Sequence, residues 1–322
     1  MKAVITSGLG PRAPLTVGDV PRPRPSRHDL LVAVQASSVN PKDWKLNRNI
    51  AAVIPRLGGP LRTHLFGDDL SGVVVDKGAG VTDFEIGDEV YGMDMRLRTN
   101  ACAEFAVIDQ RRVAHKPVNL SHEQAAAVPL AAQTAVQAFR KTAVGDGTRL
   151  LIIGASGGVG TFAMQIGKAL GAHVTGVCSH RNLDLVRQLG ADAVIDYTAE
   201  DYLRRDDHFD VVFDATSHES PNTCASLLKP GGVFVTTGGY AHAYLNVARS
   251  KLLPGKVKAR LVIVESRRHD LETLTQWIEA GRVTPVIDSL YPMARLGDAY
   301  EHSKTGRARG KIVIRVNNEE QD

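Results

Sequence analysis

Short runs of alternating apolar and polar positions fill the first third of the chain and predict strands at Lys2–Thr6, Leu30–Ala36, Leu70–Asp76, Glu89–Tyr91 and Ala103–Val107. Gly, Pro and Asp punctuate them, as in GAGVTDFEIGDEVYG, and the spacing suits a small barrel-like domain. PRPRP at 21–25 reads as a stiff extended connector. The pattern changes at SHEQ, 121–124, which fits a capping box. An Ala-rich helical stretch follows, and Pro129 interrupts it, which predicts two short helices ending at Gly145. From Arg149 apolar runs alternate with helical ones: RLLIIG, AHVTGVC, DAVIDY, DVVFDAT, VFVTTGG and ARLVIV, with helical stretches such as 182–189 and 219–228 between them. That alternation predicts an α/β doubly wound parallel sheet. A helix from about His269 to Ala280 stops at Gly281, and KIVIRV forms a last strand able to return to the first domain.

Composition bounds the function. The 322 residues suffice for two domains, with 23% charged and 43% hydrophobic residues, ordinary for a globular protein. A net charge of +4, with no basic block interleaved with aromatics, argues against a nucleic-acid partner. MKAVITSG opens as a strand without a signal-peptide pattern, and no apolar run is long enough to cross a bilayer. Cys102, Cys178 and Cys224 form no ligand pattern and read as free thiols in a reducing cytoplasm.

The chemistry concentrates in GASGGVG at 154–160, a glycine cluster between a predicted strand and a predicted helix. Pyrophosphate needs such a turn, because backbone N–H groups at the helix start are then approachable without a Cβ in the way. The next strand ends in Cys178, Ser179, His180 and Arg181. An NAD site usually carries an acid there to bond the ribose hydroxyls. A hydroxyl and a guanidinium suit a 2′-phosphate instead, and Tyr197 adds a phenolic donor. The cofactor this pattern selects is NADPH.

ASSVNPKDWKL at 36–46, FGDDLSGVV at 66–74, GDEVYG at 87–92, AAAVPLAAQTA at 125–135 and GRARGK at 306–311 occur in order around the glycine unit. Together they resemble the medium-chain dehydrogenase/reductase superfamily, and specifically its zinc-independent quinone oxidoreductase and enone reductase branch. The resemblance implies a GroES-like β-rich catalytic domain over 1–122, completed by 270–322, a Rossmann domain over 123–269, and a cofactor cleft between them. Members of the alcohol-dehydrogenase branch place zinc ligands near Asn40 and Asp68-Asp69 and carry a four-cysteine lobe. Here an amide and two carboxylates stand at those positions, His64 is out of register, and the lobe is missing.

Without a Lewis acid, hydride transfer needs an acceptor that is already electrophilic, such as a quinone or the C=C of an α,β-unsaturated carbonyl. Lys45 is placed by the resemblance near the reacting groups, and Asn40 offers an amide N–H donor. The resemblance also carries over Ser156, Gly157, Gly158 and Val159 to pyrophosphate, and Ser179, Arg181 and Tyr197 to the 2′-phosphate. It sets Thr134, Gly238, Gly239 and Val264 beside nicotinamide, with Arg307, Ala308 and Arg309 reaching the cofactor. Loops 51–64 and 92–105 are expected to choose the substrate, with Met93, Met95 and Leu97 as apolar contacts. Cys102 is a conceivable target for electrophilic enones. No residue stands out as the proton donor. A homodimer is expected by analogy, acting on a small molecule with no nucleic-acid or membrane partner. The competing reading is a catalytically weak NADPH-binding sensor or assembly protein of the same fold.

Overall fold

The computed structural model describes residues 1–6, 14–44, 66–95, 100–238, 243–247 and 257–316. The chain divides into two units, one of 1–130, 266–279 and 285–322, the other of 131–265 and 280–284.

In the first unit β1 (Lys2–Thr6) pairs antiparallel with β2 (Leu15–Asp19). Then come β3 (Asp29–Ser38), β4 (Asp69–Lys77), β5 (Glu89–Met93), β6 (Phe105–Asp109) and β7 (Val113–His115). Helix α1 (His122–Ala126) closes this run, and α2 (Pro129–Thr142) leads out of the unit. The capping box forms as its spacing dictates: Ser121 Oγ accepts from Gln124 N at 3.3 Å, and Ser121 N donates to Gln124 Oε1 at 3.0 Å. Pro129 splits the helical stretch, though the second helix runs a full 14 residues, and Ala143 at φ +53° ends it.

The second unit contains β8 (Arg149–Ile153), α3 (Gly158–Ala169), β9 (His173–Cys178), α4 (Leu183–Gln188), β10 (Ala193–Asp196), β11 (Phe209–Asp214), β12 (Leu228–Thr237) and β13 (Lys258–Val262). Its sheet is parallel throughout, in the order β10-β9-β8-β11-β12-β13. Renumbered within the unit this is 3-2-1-4-5-6, the doubly wound dinucleotide-binding order. The run Leu150–Ile153 is buried throughout, as are Val211, Val212, Phe213, Phe234 and Val235, because a parallel sheet covered on both faces has no polar side.

The chain then returns to the first unit through α5 (Arg268–Glu279), β14 (Ile287–Pro292), α6 (Leu296–Lys304) and β15 (Lys311–Arg315). The last strand joins the sheet β14-β15-β3-β4-β5-β7, with β6 also paired to β3. Alternate residues Leu30, Val32 and Val34 of β3 face the core with Leu70, Val74, Ile312 and Ile314.

Residues 219–228 do not form the expected helix; they make turns and a single 3-10 turn at Ala225–Leu227. Ser220 and Thr223 exchange side-chain-to-backbone bonds around Pro221, which offers the backbone a cheaper partner than a helix. Strands β2, β7 and β14 were not foreshadowed by alternation. Met93 is fully buried in β5, so it packs the core rather than contacting a substrate. No helix among the described residues is long and apolar enough to cross a membrane.

Candidate active site

The sheet order reverses between β8 and β11, and the glycine turn leaves the end of β8 at that switch point. Gly154 takes φ +81°, and its N–H and that of Ala155 both donate to Val177 O, at 3.1 and 3.0 Å, which ties the turn to β9. A Cβ on Gly160 would lie 2.0 Å from Gly154 O, so only glycine lets α3 start this close to the turn. Gly157 caps α3 without any side-chain bond to the helix start. Ser156, Gly157, Gly158 and Val159 are partly exposed at this terminus. Uncapped N–H groups, partial positive charge and no Cβ in the way fit a pyrophosphate.

The residues expected on the 2′ side lie at the ends of β9 and β10. Ser179 is partly exposed and Arg181 exposed. Tyr197 is 55% exposed, and its N–H donates to Cys178 O at 3.1 Å, which holds the ring's backbone against the end of β9. His180 Nδ1 lies 2.9 Å from Asp196 Oδ2, a hydrogen bond at the surface. The residue that the sequence did not single out is Asn182. Its Nδ2 donates to Ser156 Oγ at 2.9 Å and to Ser179 Oγ at 3.2 Å, which joins the glycine turn to the Ser179 stretch. An asparagine just ahead of a helix is an ordinary capping residue, so nothing local sets this one apart.

On the other side of the switch point, the buried Asp214 carboxylate accepts from Thr216 N, Ser217 N, Glu219 N and Thr216 Oγ1 at 2.6–3.0 Å. These bonds hold Ser217 at φ +61°, with its Oγ 2.5 Å from Thr237 Oγ1. Gly238 follows, its N–H donating to Val262 O at 3.1 Å, and Val264 lies just beyond β13. Thr134 is buried on α2. Gly239 lies outside the described residues.

In the first unit Asn40 is 2% exposed and engaged at both ends of its amide. Nδ2 donates to Asp69 Oδ2 at 2.8 Å, and Oδ1 accepts from Lys311 Nζ at 2.6 Å. Asp69 also accepts from Ser38 Oγ at 2.6 Å and Leu130 N at 2.8 Å, with Lys311 Nζ at 3.5 Å. Asp68 pairs with Lys42, while Asp43 accepts from Asn40 N at 2.8 Å. Burial, reinforced by the Asp68 charge, pushes the Asp43 carboxyl well above its ordinary range. Burial raises Asp68 to about 6 against the opposing pull of Lys42. Two ammonium groups therefore occupy the Asp68 and Asp69 carboxylates, and the Asn40 amide stands beside them. That donor set does not fit a catalytic zinc ion. Lys45, His64 and loop 51–64 lie outside the described residues, as do 96–99, Leu97 among them. Arg307 and Arg309 are exposed beside the partly buried Ala308, and this turn is anchored by Arg309 N donating to Asp288 Oδ1 at 2.7 Å.

A switch-point glycine turn on a 3-2-1-4-5-6 sheet, with another unit of mostly antiparallel strands completed by the last strands of this sequence, defines a two-domain dinucleotide-binding protein. Family models agree: residues 26–118 match the alcohol dehydrogenase GroES-like domain, and 189–314 match a zinc-binding dehydrogenase domain. The human mitochondrial NAD(P)H oxidoreductase RTN4IP1 is 33% identical over 326 residues, covering 90% of this chain and 82% of that protein. The chloroplastic NADPH-dependent alkenal/one oxidoreductase of Arabidopsis thaliana is 32% identical over 302 residues, covering 91% and 73%. The solved quinone oxidoreductase of Coxiella burnetii superposes with a TM-score of 0.86 at 28% identity, covering 98% of this chain and 99% of that one. The chain belongs to the medium-chain dehydrogenase/reductase superfamily, in its quinone oxidoreductase-like branch, with a GroES-like domain and a Rossmann domain.

Proposed function

We propose that this chain is an NADPH-dependent reductase that delivers hydride to a quinone or to the C=C of an α,β-unsaturated carbonyl without a metal ion. The observation that carries the reading is the Ser156–Asn182–Ser179 arrangement beside Arg181, at the position where an NAD site would carry a carboxylate. The names of the quinone and alkenal/one oxidoreductase relatives support the acceptor class.

When bound, the reduced nicotinamide supplies the hydride. The protein's part is to hold and orient. Ser156, Gly157, Gly158 and Val159 take the pyrophosphate at the start of α3, while Ser179, Arg181 and Tyr197 take the 2′-phosphate. Thr134, Gly238, Gly239 and Val264 border the nicotinamide, and Arg307, Ala308 and Arg309 reach the cofactor from the last turn before β15. Negative charge arriving on the acceptor spreads to its oxygen, where Lys45 and the second amide hydrogen of Asn40 are the donors we assign. Asp69 and Lys311 fix the Asn40 amide for that task. A homodimer in the cytoplasm belongs to the same proposal, and three buried free thiols suit a reducing compartment.

The test follows loss of reduced-nicotinamide absorbance with NADPH and with NADH against a panel of quinones and enones, using metal-stripped protein. Fast oxidation of NADPH and slow oxidation of NADH is the expected result. Equal rates would overturn the 2′-phosphate assignment. Tight NADPH binding without turnover on any acceptor would favour a sensor over an enzyme.

A further inference from the structure

Asn182 stands one residue ahead of α4, where an asparagine ordinarily bonds the helix's own backbone N–H groups. It makes no such cap. Its side chain turns away, gives Nδ2 to the Ser156 and Ser179 hydroxyls, and leaves Oδ1 buried without a hydrogen-bond partner in a residue only 5% exposed. A buried orphan acceptor is a cost that folds rarely carry without a reason. Turning the amide over would not remove it. The oxygen would then accept from the two hydroxyls, but two N–H groups would be stranded in place of one oxygen.

The orientation has a consequence for the serines. A hydroxyl that accepts an N–H keeps its own hydrogen to donate elsewhere. With Nδ2 behind them, Ser156 and Ser179 both offer O–H donors away from Asn182; with the amide reversed, both would offer lone pairs, which repel a phosphate. One serine lies on the glycine turn and the other at the end of β9, so a single amide sets the polarity of both.

We propose that Asn182 is the positioning residue for cofactor selectivity: it aims the Ser156 and Ser179 hydroxyl hydrogens at two phosphate groups of NADPH and couples the two subsites. This rests on the NADPH reading above. Arg181 supplies charge at this corner, and Asn182 supplies direction.

Calorimetric titration with 2′,5′-ADP and with 5′-AMP reads the two subsites without any turnover. Asn182→Ala is expected to weaken 2′,5′-ADP on the order of tenfold and 5′-AMP by less, since 5′-AMP engages only the Ser156 subsite. In a Ser156→Ala, Ser179→Ala background the same substitution is expected to change neither affinity, because its effect runs through the hydroxyls. Asn182→Thr, which offers one donor in place of two, is expected to fall between wild type and Asn182→Ala. It serves also if the alanine variant does not fold. Unchanged affinity in Asn182→Ala, or an equal loss with and without the serines, overturns the proposal. Wild-type protein that binds 2′,5′-ADP no tighter than 5′-AMP overturns the NADPH reading and the Ser179 half of the inference. The Ser156 half then stands or falls on the 5′-AMP titration of the variant.

Discussion

Asp68 holds its proton to about pH 6 in the folded chain, because burial outweighs the attraction of Lys42. An unfolded aspartate titrates near 3.8, so between about pH 4 and pH 6 the native state binds more protons than the unfolded state. Stability from this group is therefore greatest below that window and falls as pH rises through it, then stays level. Asp43 acts in the same direction. Asp109, held at about 2 by Arg111, works the opposite way but only at lower pH. Urea midpoints measured across this window should drop less steeply in Asp68→Asn than in wild type, and identical slopes would contradict the assignment. Burial likewise lifts the thiols, Cys178 to about 11, Cys224 to about 12 and Cys102 higher still. Native protein is expected to leave all three cysteines unlabelled by a thiol reagent that labels the denatured chain fully; rapid labelling of the native chain would show an accessible thiolate. At this scale the sequence disclosed which types cluster but not how they pair. Asn182 was not singled out, because its partner hydroxyl on the glycine turn is far away along the chain.

Elements were legible where a local signal dominates. Strand alternation located β1, β3, β4, β5 and β6 to within a few residues, and Ser121 with Gln124 fixed the start of α1. Edge strand β14 escaped because partly exposed IDSLYP lacks a clean period of two. The 219–228 segment escaped because local side-chain bonds beat its helical propensity. Glycine spacing in GASGGVG was legible, and its steric basis is now specific. Gly160→Ala would push a methyl group against the Gly154 carbonyl, 2.0 Å from an ideal Cβ. The helix start must move away from the turn, costing about 1–3 kcal/mol of stability by overpacking. On the proposed function it should also weaken NADPH binding, since the N–H groups assigned to the pyrophosphate move with the helix start. Thermal denaturation and cofactor titration of this variant check both, and an alanine variant with wild-type values in each would show that the turn tolerates a side chain.

Across the whole first unit, one buried charge network joins parts of the chain that lie far apart in sequence. Lys311, 3% exposed at the start of β15, donates to Val39 O at 3.2 Å and Asn40 Oδ1 at 2.6 Å and lies 3.5 Å from Asp69, which is itself fully buried. Asp69 in turn receives Ser38, Asn40 and the backbone of Leu130. The final strand is thus an electrostatic latch on the loop that carries Asn40, in addition to its pairing with β3 and β14. No spacing in the sequence announces this, since GRARGK reads locally as a basic turn. A buried carboxylate left without its cation is costly, so Lys311→Met is expected to lose about 3–5 kcal/mol of unfolding free energy. Adding Asp69→Asn removes the orphaned charge and keeps one acceptor oxygen for the donors that face it, so the double variant should be more stable than Lys311→Met alone. Denaturant unfolding of the wild type, the two single variants and the double variant measures the coupling. Additive losses would mean that Lys311 contributes only packing; a double variant that regains stability but not the proposed NADPH oxidation would separate the latch's structural part from its hold on Asn40.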